Sequence, residues 1–318
     1  MTILILIFLV IIISLASSYY AYRICFYSPS RDSKVLYKLP EGEQYEPKSD
    51  NIKGWIEEIL ELPHEDIFIQ SYDGKKLYGR YYHTLDNAPV QIMFHGYRSS
   101  AYLDFCGGIK FARKCGCNAI VVDQRSHGKS EGNTISFGIQ EKKDCISWIN
   151  YVNQRFGTDT KIILSGLSMG ASTVLMTANL KLPENVVGIV ADCPYSSPKE
   201  IISLVCERDM KLPAKLVYPF VKLGARIFGH FDLEEWDPIR AVADSKLPIL
   251  IFHGDSDLFV PCDMSKRLKE SCPEMVRLEI VSGAGHGLCY VEGPKQYETA
   301  LLQFTEYVLI KNTNKMPL

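Results

Sequence analysis

IILSGLSMGAST, residues 162–173, carries a strand signal and a helix signal with a single turn between them. The apolar residues before the turn predict a short buried strand, and the residues after it have a helical composition. Ser168 stands in the turn between Gly166 and Gly170. A turn this tight leaves no room for side chains two positions before and after the serine, which accounts for both glycines. The turn also places the Ser168 hydroxyl at a helix N-terminus, where developing negative charge is favoured.

Strand and helix signals alternate along most of the chain. Short apolar segments bounded by turn residues predict strands, and amphipathic segments that end at Gly or Pro predict helices. The predicted strands are residues 67–70, 77–82, 90–94, 118–122, 162–165, 186–190, 249–253 and 276–281. The predicted helices are residues 52–62, 101–115, 138–156 and 169–180. This order predicts an α/β fold with a mostly parallel, doubly wound sheet, whose ligands bind beyond the carboxyl ends of the strands.

Two segments depart from this alternation and suggest the domain organisation. Residues 1–22 contain no charged side chain, and we interpret them as an N-terminal transmembrane anchor, with a signal peptide or a buried core helix as alternatives. Residues 23–51 are polar and proline-containing and are interpreted as a linker. The main domain is then 52–318, with a helical cap inserted at about 195–247, or ordinary core helices in its place. The candidate lining residues of the cap are Leu216, Val217, Tyr218, Phe220 and Val221.

The side of the membrane that the main domain occupies stays open. Arg23, Arg31, Lys34 and Lys38 follow the apolar segment, and no Lys or Arg precedes it. The positive-inside rule places the domain in the cytoplasm, whereas a signal-anchor arrangement would export it.

Composition excludes several classes of function. The 318 residues carry a formal net charge of −2 without a clustered basic excess, which excludes an ordinary nucleic-acid-binding surface. Ten cysteines lack the dense spacing of a disulfide scaffold, and Cys115 and Cys117 are too close together for a metal site. We therefore expect most cysteines to be small buried apolar groups, and we expect no cofactor or metal.

A serine hydroxyl is a weak nucleophile at neutral pH and needs a neighbouring base. His286 is the best placed of the seven histidines, because small residues surround it directly after the last predicted strand. An imidazole base needs a carboxylate that fixes its tautomer. Asp257, beyond the preceding strand, is favoured for that role. Asp255, which would cap its own turn, and Asp192, which follows an earlier strand, are the alternatives.

Acyl transfer also requires donors for the oxyanion that forms on the substrate. One expected donor is the backbone N–H of Met169, the residue after the serine. The second expected donor is the backbone N–H of Tyr97, in the loop after the strand at 90–94. Gly96 lets this loop approach closely, and His95 is interpreted as structural support for it.

Five segments together resemble the α/β-hydrolase superfamily, over a span from about residue 67 to residue 308. They are FHGY at 94–97, DQRSHGKS at 123–130, GLSMG at 166–170, HGDSDLFVP at 253–261 and GHG at 285–287. The apolar N-terminus, Phe137-Gly138 and ADCPYSS at 191–197 are similar to membrane-anchored bacterial hydrolases of the YqkD, BAAT and prolyl-oligopeptidase-related kind. The resemblance implies the α/β-hydrolase fold and a triad in the order Ser168, Asp257, His286.

From these residues we expect a serine hydrolase that cleaves carboxylic esters through an acyl-enzyme intermediate. An apolar cap and a membrane anchor favour a small-molecule or lipid-like ester as substrate. The alternatives are a serine peptidase or amidase with the same triad, and a membrane-tethered binding protein that keeps the fold without turnover. The sequence does not indicate the oligomeric state.

Overall fold

A computed structural model describes residues 1–29, 42 and 44–314 of the chain. The strands are β1 (Glu65–Gln70), β2 (Lys76–Tyr82), β3 (Val90–Phe94), β4 (Asn118–Asp123), β5 (Ile162–Leu167), β6 (Val186–Asp192), β7 (Ile249–Gly254) and β8 (Val276–Val281). The helices are α1 (Thr2–Cys25), α2 (Ser49–Glu61), α3 (Ala101–Asp104), α4 (Gly108–Lys114), α5 (Glu141–Phe156), α6 (Met169–Met176), α7 (Pro198–Arg208), α8 (Ala214–Phe228), α9 (Pro238–Ala243), α10 (Cys262–Ser271), α11 (Cys289–Glu292) and α12 (Pro294–Asn314).

The predicted α/β fold with a mostly parallel, doubly wound sheet is confirmed. The strands form an eight-stranded sheet in the order β1-β2-β4-β3-β5-β6-β7-β8. Strand β2 pairs antiparallel with β1 and with β4, and the pairs from β4 to β8 are parallel. Because parallel strands end at the same edge, the loops after β3, β5, β6, β7 and β8 gather there.

The prediction of one continuous helix at 101–115 is wrong, because the structure divides this segment into α3 and α4. Gly107 precedes α4, and a Cβ at this position would overlap the ring of Tyr290 in α11. The carboxylate of Asp104, at the end of α3, accepts the Gly96 N–H at 2.6 Å. These distant contacts override a pattern that is locally helical. The other predicted helices differ from α2, α5 and α6 by a few residues at their ends.

Apolar side chains cover both faces of the sheet. On one face Trp148 of α5 and Val174 of α6 pack against the strand residue Leu164. On the other face Phe111 of α4 and Phe304 of α12 share a core with strand residues such as Ile163. All ten cysteines are unpaired and most are buried, in agreement with their expected role as small apolar groups.

Helices α7 and α8, which we call the cap, follow β6 and share one apolar cluster, whereas Val242 of α9 belongs to the core on the sheet. Helix α8 packs directly against α1. A Cβ at Gly224 would overlap the carbonyl oxygen of Ser18, so the two helix backbones touch at this point. The ring of Phe228 lies 5.1 Å from that of Tyr19 and 5.9 Å from that of Tyr22. A small residue at the crossing thus allows a close helix pair between α1 and the cap.

The first half of α1 projects from the rest of the molecule. Its apolar side chains at residues 3–13 are 45% to 76% exposed. Helix α1 is long and apolar enough to cross a membrane, a property that anchors share with signal sequences.

The chain directly after α1 is built into the domain. Phe26 is 0% exposed, with its ring 5.8 Å from Phe137 and 5.2 Å from Phe231. The Phe26 carbonyl accepts the backbone N–H of Ile135 at 2.8 Å, and the backbone N–H of Ser28 donates to the Asn133 carbonyl at 2.9 Å. The beginning of the expected linker is therefore packed, whereas its residues 30–41 and 43 lie outside the described residues.

The turn from β5 to α6 has a strained backbone. Ser168 adopts φ 54° and ψ −114°, a region that residues with a side chain rarely occupy. A Cβ at Gly170 would overlap the carbonyl oxygen of Phe94, and a Cβ at Gly166 would overlap the Gly170 carbonyl. Both glycines are required because neighbouring backbone fills the space.

Replacing Gly170 by alanine should lower the free energy of unfolding by at least about 3 kcal/mol, because the added methyl group meets backbone that cannot yield. Gly54→Ala is the matched control. Gly54 lies inside α2 with open space around it, so alanine should raise stability by up to about 1 kcal/mol through helix propensity. Denaturant unfolding in detergent, followed by circular dichroism, measures both, and equal midpoints for the two variants would contradict the packing described.

Phe26→Ala should destabilise the domain by about 3–5 kcal/mol, since it removes a buried aromatic side chain from a packed cluster. Phe68→Ala removes a ring that is 47% exposed and should change stability by less than about 1 kcal/mol. The same unfolding measurement compares the two variants. A small effect at Phe26 would show that the segment after α1 is a detachable linker.

Candidate active site

Ser168 lies at the carboxyl edge of the sheet, at the N-terminus of α6. Its N–H donates to the Asp192 carbonyl at 2.8 Å, and its own carbonyl accepts the Ser172 N–H at 3.0 Å. The residue is 7% exposed. The strained turn thus holds the hydroxyl in a fixed and nearly enclosed position.

The structure brings His286 between Ser168 and Asp257. Its Nε2 lies 2.9 Å from the Ser168 Oγ, and its Nδ1 lies 2.7 Å from an Asp257 carboxylate oxygen. His286 belongs to the loop between β8 and α11, and Asp257 to the loop between β7 and α10. Ser168 is 118 positions from His286 in the chain, and Asp257 is 29 positions from it. The fold brings all three side chains into one hydrogen-bonded series.

Asp257 is buried, and several donors surround its carboxylate. The backbone N–H groups of Phe259 and Val260 donate to one oxygen, each at 2.8 Å. His286 at 2.7 Å and His253 at 3.3 Å reach the other oxygen. Burial alone would raise the pKa of Asp257, but the bonds from His253 and His286 hold that pKa well below its usual range. Asp257 is therefore a carboxylate at neutral pH.

An ionised Asp257 determines the tautomer of His286. The Nδ1 carries hydrogen and donates to the carboxylate, which leaves Nε2 unprotonated. Nε2 is then an acceptor for the Ser168 hydroxyl proton. The arrangement can remove that proton as the serine oxygen forms a bond, which is the chemistry of an activated nucleophile.

The two alternative carboxylates take other positions. Asp255 is exposed and accepts the Gly283 N–H at 2.7 Å, so it joins the loop after β7 to the loop after β8 instead of capping its own turn as expected. Asp192 is buried, and its Oδ1 has no hydrogen-bond partner among the described residues. Burial raises the pKa of Asp192 to about 6, although nearby Cys289 and histidines oppose that shift. Of the three candidates, Asp257 is the one hydrogen-bonded to His286.

His253 has a part in the site that the sequence did not suggest. Its ring lies beside Asp257. The His253 Nε2 is 2.9 Å from the Val260 carbonyl oxygen and 3.3 Å from an Asp257 carboxylate oxygen. Its Nδ1 lies 2.6 Å from the Ser265 Oγ. An Nε2–H shared between the two oxygens makes Nδ1 the acceptor of the serine hydroxyl. The repeated His-Gly at two strand ends was the available signal, but it did not reveal the bond to Asp257.

The loop after β3 lies beside the serine. A Cβ at Gly96 would lie 3.4 Å from the Ser168 Cβ, so a glycine allows this approach. Tyr97, the expected second oxyanion donor, follows it and lines the same cavity as Ser168, while Met169 follows the serine itself. Asp104 anchors the loop by accepting the Gly96 N–H, and burial raises the pKa of Asp104 to about 6. Asp104 was missed because residues 101–115 were predicted as one helix.

His95 is directed away from the serine, as expected for a structural residue. Its Nδ1 lies 2.8 Å from the Gly96 carbonyl, and its Nε2 accepts the Gln124 N–H at 3.1 Å. Its ring lies 4.6 Å from that of His127. Both histidines thus connect the loop after β3 to the loop after β4.

Two cavities meet at Ser168. The helix-side cavity, of about 340 Å³, lies between the sheet and helices α3, α4, α11 and α12. Its wall includes Leu103, Phe111, Tyr290, Leu301 and the polar side chains of Gln91, Ser165 and Asp192. The cap-side cavity, of about 280 Å³, lies on the other side of the serine. Its wall includes Ile24 and Cys25 of α1 and Ile201, Ile202, Val205, Cys206 and Met210 of the cap.

The predicted lining of the cap pocket was wrong. Leu216, Val217, Tyr218, Phe220 and Val221 belong to α8, and neither cavity includes them. Tyr218 and Val221 pack into the cluster shared with α1, while Leu216 is 68% exposed. Helix α8 has apolar side chains on more than one face, and its partner α1 is distant in sequence. Periodicity therefore could not show that α7 supplies the lining.

Cys193, Asp257 and His286 are the one group of three potential metal ligands among the described residues, with ligand atoms within 4.8 Å of one another. Two of them already bond to each other. Burial raises the pKa of the Cys193 thiol well above its ordinary value, which keeps it protonated. We therefore describe these residues by their hydrogen bonds and assign no metal to them.

Comparison with known proteins agrees with this architecture. The sequence model of the family described as the alpha/beta hydrolase fold matches residues 89–216. YqkD of Bacillus subtilis is 23% identical over 262 residues, covering 81% of this chain and 85% of YqkD. The alpha/beta hydrolase domain-containing protein WAV2 of Arabidopsis thaliana is 26% identical over 272 residues, covering 78% of this chain and 80% of WAV2.

Solved structures show the same fold. The esterase Pf2001 of Pyrococcus furiosus superposes with a TM-score of 0.65 at 22% identity, covering 79% of this chain and 93% of the esterase. The expected resemblance is thus confirmed by sequence and by structure. The chain has the α/β-hydrolase fold, and its sequence is similar to members of the α/β-hydrolase superfamily.

Proposed function

We propose that this protein is a serine hydrolase that cleaves carboxylic esters. Ser168 is the nucleophile, His286 is the base and Asp257 orients the base. The observation that carries the proposal is the hydrogen-bonded series from Asp257 through His286 to the strained Ser168. An ionised carboxylate, a neutral imidazole with a free Nε2 lone pair and a positioned hydroxyl are the parts that acyl transfer requires.

In the first half of the reaction, the Ser168 oxygen attacks the ester carbonyl carbon while His286 Nε2 takes the serine proton. The carbonyl oxygen becomes an oxyanion, and the backbone N–H groups of Tyr97 and Met169 stabilise it. The intermediate then expels the alcohol, which receives the proton from Nε2. The acyl group remains on Ser168 as an ester. Asp257 stays ionised throughout and stabilises the imidazolium.

In the second half, a water molecule attacks the acyl carbon and gives a proton to His286 Nε2. The bond to the Ser168 oxygen breaks, the serine recovers that proton, and the carboxylic acid leaves. The low pKa of Asp257 supports this sequence, because a protonated Asp257 would not hold the His286 Nδ1–H.

The two cavities support an ester with an apolar group on at least one side of the carbonyl. Ser168 lies where they meet, so one can hold the acyl group and the other the alcohol. The structural similarity to an enzyme named as an esterase in Pyrococcus furiosus agrees with this choice over an amide. We also propose that α1 anchors the protein in a membrane, since its first half exposes a continuous apolar surface.

Ser168→Ala and His286→Ala should each reduce hydrolysis of p-nitrophenyl butyrate by the full chain in detergent by several orders of magnitude. The residual rate should be about 10³–10⁴-fold above that in water. Ser256→Ala, at an exposed serine, is the control and should retain full activity. A fluorophosphonate should label the wild type and not Ser168→Ala. Unchanged turnover in Ser168→Ala would refute the proposal, and faster cleavage of a matched anilide would indicate an amidase.

Asp257→Asn should lower kcat by about 10⁴-fold. The amide oxygen stays with the Phe259 and Val260 N–H groups, so the amide NH2 donates to His286 Nδ1 and the ring hydrogen moves to Nε2. The KM should change little, since Asp257 lies behind the histidine. Asp255→Asn changes a nearby exposed carboxylate in the same way and should leave kcat within about twofold. Initial rates over a range of ester concentrations separate kcat from KM. Equal losses in the two variants would reassign the orienting carboxylate.

A further inference from the structure

The cap presents an exposed apolar surface, which we call the cap stripe. On α8 it comprises Leu216, Leu223 and Ile227, which are 68%, 36% and 39% exposed. Their spacing of seven and four residues places them on one face of the helix. Met210 and Leu212, each 40% exposed, directly precede α8 and complete the stripe. A cluster of exposed apolar side chains on one helix face is typical of a binding surface.

The cap stripe lies on the helix that packs against α1. Gly224 and Phe228, on another face of α8, contact Ser18 and Tyr19. The exposed apolar surface of α1 extends from the start of the helix to the residues just before these contacts, and the helix is long enough to cross a membrane. If α1 enters a bilayer, the contact between Phe228 and Tyr19 therefore brings the C-terminal end of α8 close to the surface of the same bilayer. A helix with an apolar outer stripe in that position inserts its side chains between the lipids.

The cap stripe is continuous with the active site through the cap-side cavity. Met210 is both 40% exposed and part of the cavity wall. Ile24 and Cys25, the last residues of α1, line the same cavity, and Ser168 lies at its inner end. An apolar route thus runs from the cap stripe, beside the end of the membrane helix, to the reactive hydroxyl.

The active-site loop is bonded to the end of α1. The Tyr97 hydroxyl donates to the Cys25 carbonyl at 2.8 Å. The Arg98 guanidinium donates to the Ile24 carbonyl at 2.7 Å and to the Tyr27 carbonyl at 3.2 Å. The loop that carries the second proposed oxyanion donor and the wall of the cap-side cavity are therefore positioned by the same helix.

We propose that the cap stripe rests on the bilayer beside α1 and that the cap-side cavity receives the hydrocarbon chain of an ester lipid directly from the membrane. This inference rests on the proposed hydrolase function and adds its substrate class. A chain that moves from lipid into an apolar cavity does not become exposed to water on the way. The end of α1 then serves as a wall of the substrate site in addition to being an anchor.

The test uses the full chain reconstituted in phosphatidylcholine vesicles and two esters of the same alcohol. 4-Methylumbelliferyl oleate partitions into the bilayer, and 4-methylumbelliferyl butyrate reaches the enzyme from water. The double variant Leu216→Asp/Leu223→Asp should hydrolyse the oleate at least about tenfold more slowly, because carboxylates keep the stripe out of the lipid. Its butyrate rate should stay within about twofold, because both residues lie outside the cavities.

Leu85→Asp is the matched control for the double variant. Leu85 is 57% exposed, and its backbone bonds to Asn118 at the start of β4, at the opposite edge of the sheet. Both rates should be unchanged in this variant. If the double variant keeps the wild-type oleate rate, the proposal is overturned. If the wild type hydrolyses neither ester, the hydrolase function fails instead, and the contact with the bilayer is judged by fluorescence.

Fluorescence tests the contact without relying on activity, and it decides the case in which the double variant loses both rates through misfolding. Leu216→Trp should show tryptophan emission that brominated phosphatidylcholine quenches, whereas the added emission of Leu85→Trp should not be quenched. Absence of quenching at residue 216 would overturn the membrane contact and leave the cap stripe to a protein partner.

Discussion

The backbone of α6 approaches the end of β3 so closely that a hydrogen atom alone fits at Gly170, and the whole site depends on this contact. It compresses the turn after β5 and forces Ser168 into its strained conformation. It also places the loop after β3 next to the serine, with Gly96 at the point of approach. The proposed nucleophile and the proposed oxyanion donors are thereby positioned by rigid backbone, which is the basis of preorganised catalysis.

The surroundings of three carboxylates at the same edge of the sheet give them different pKa values. Asp257 receives four donors, and its pKa lies well below the usual range. Asp104 and Asp192 have fewer compensating bonds, and burial raises the pKa of each to about 6. Carboxylates whose surroundings move their pKa values apart are suited to different roles. Asp257 is equipped to remain charged beside His286, whereas Asp104 supports the loop after β3.

Helix α1 connects this site to the surface of the molecule. Its last residues line the cap-side cavity, and Phe26 after it lies in the core. Helix α8 packs against α1 through one apolar face and exposes apolar side chains on another. Helix α1, the cap and Ser168 thus form one packed assembly, so a change at the exposed surface of α1 or α8 can reach the proposed substrate route.

The sequence predicts the order of strands and helices and places Ser168, Asp257 and His286 at strand ends, because apolar periodicity and glycine-bounded turns are local signals. It did not reveal His253 behind Asp257, the break between α3 and α4, or α7 as the lining of the cap-side cavity. Those features depend on contacts between residues far apart in the chain, such as Tyr290 against Gly107. These features become visible in the folded chain, since the packing partner of each helix face is not encoded in any local pattern.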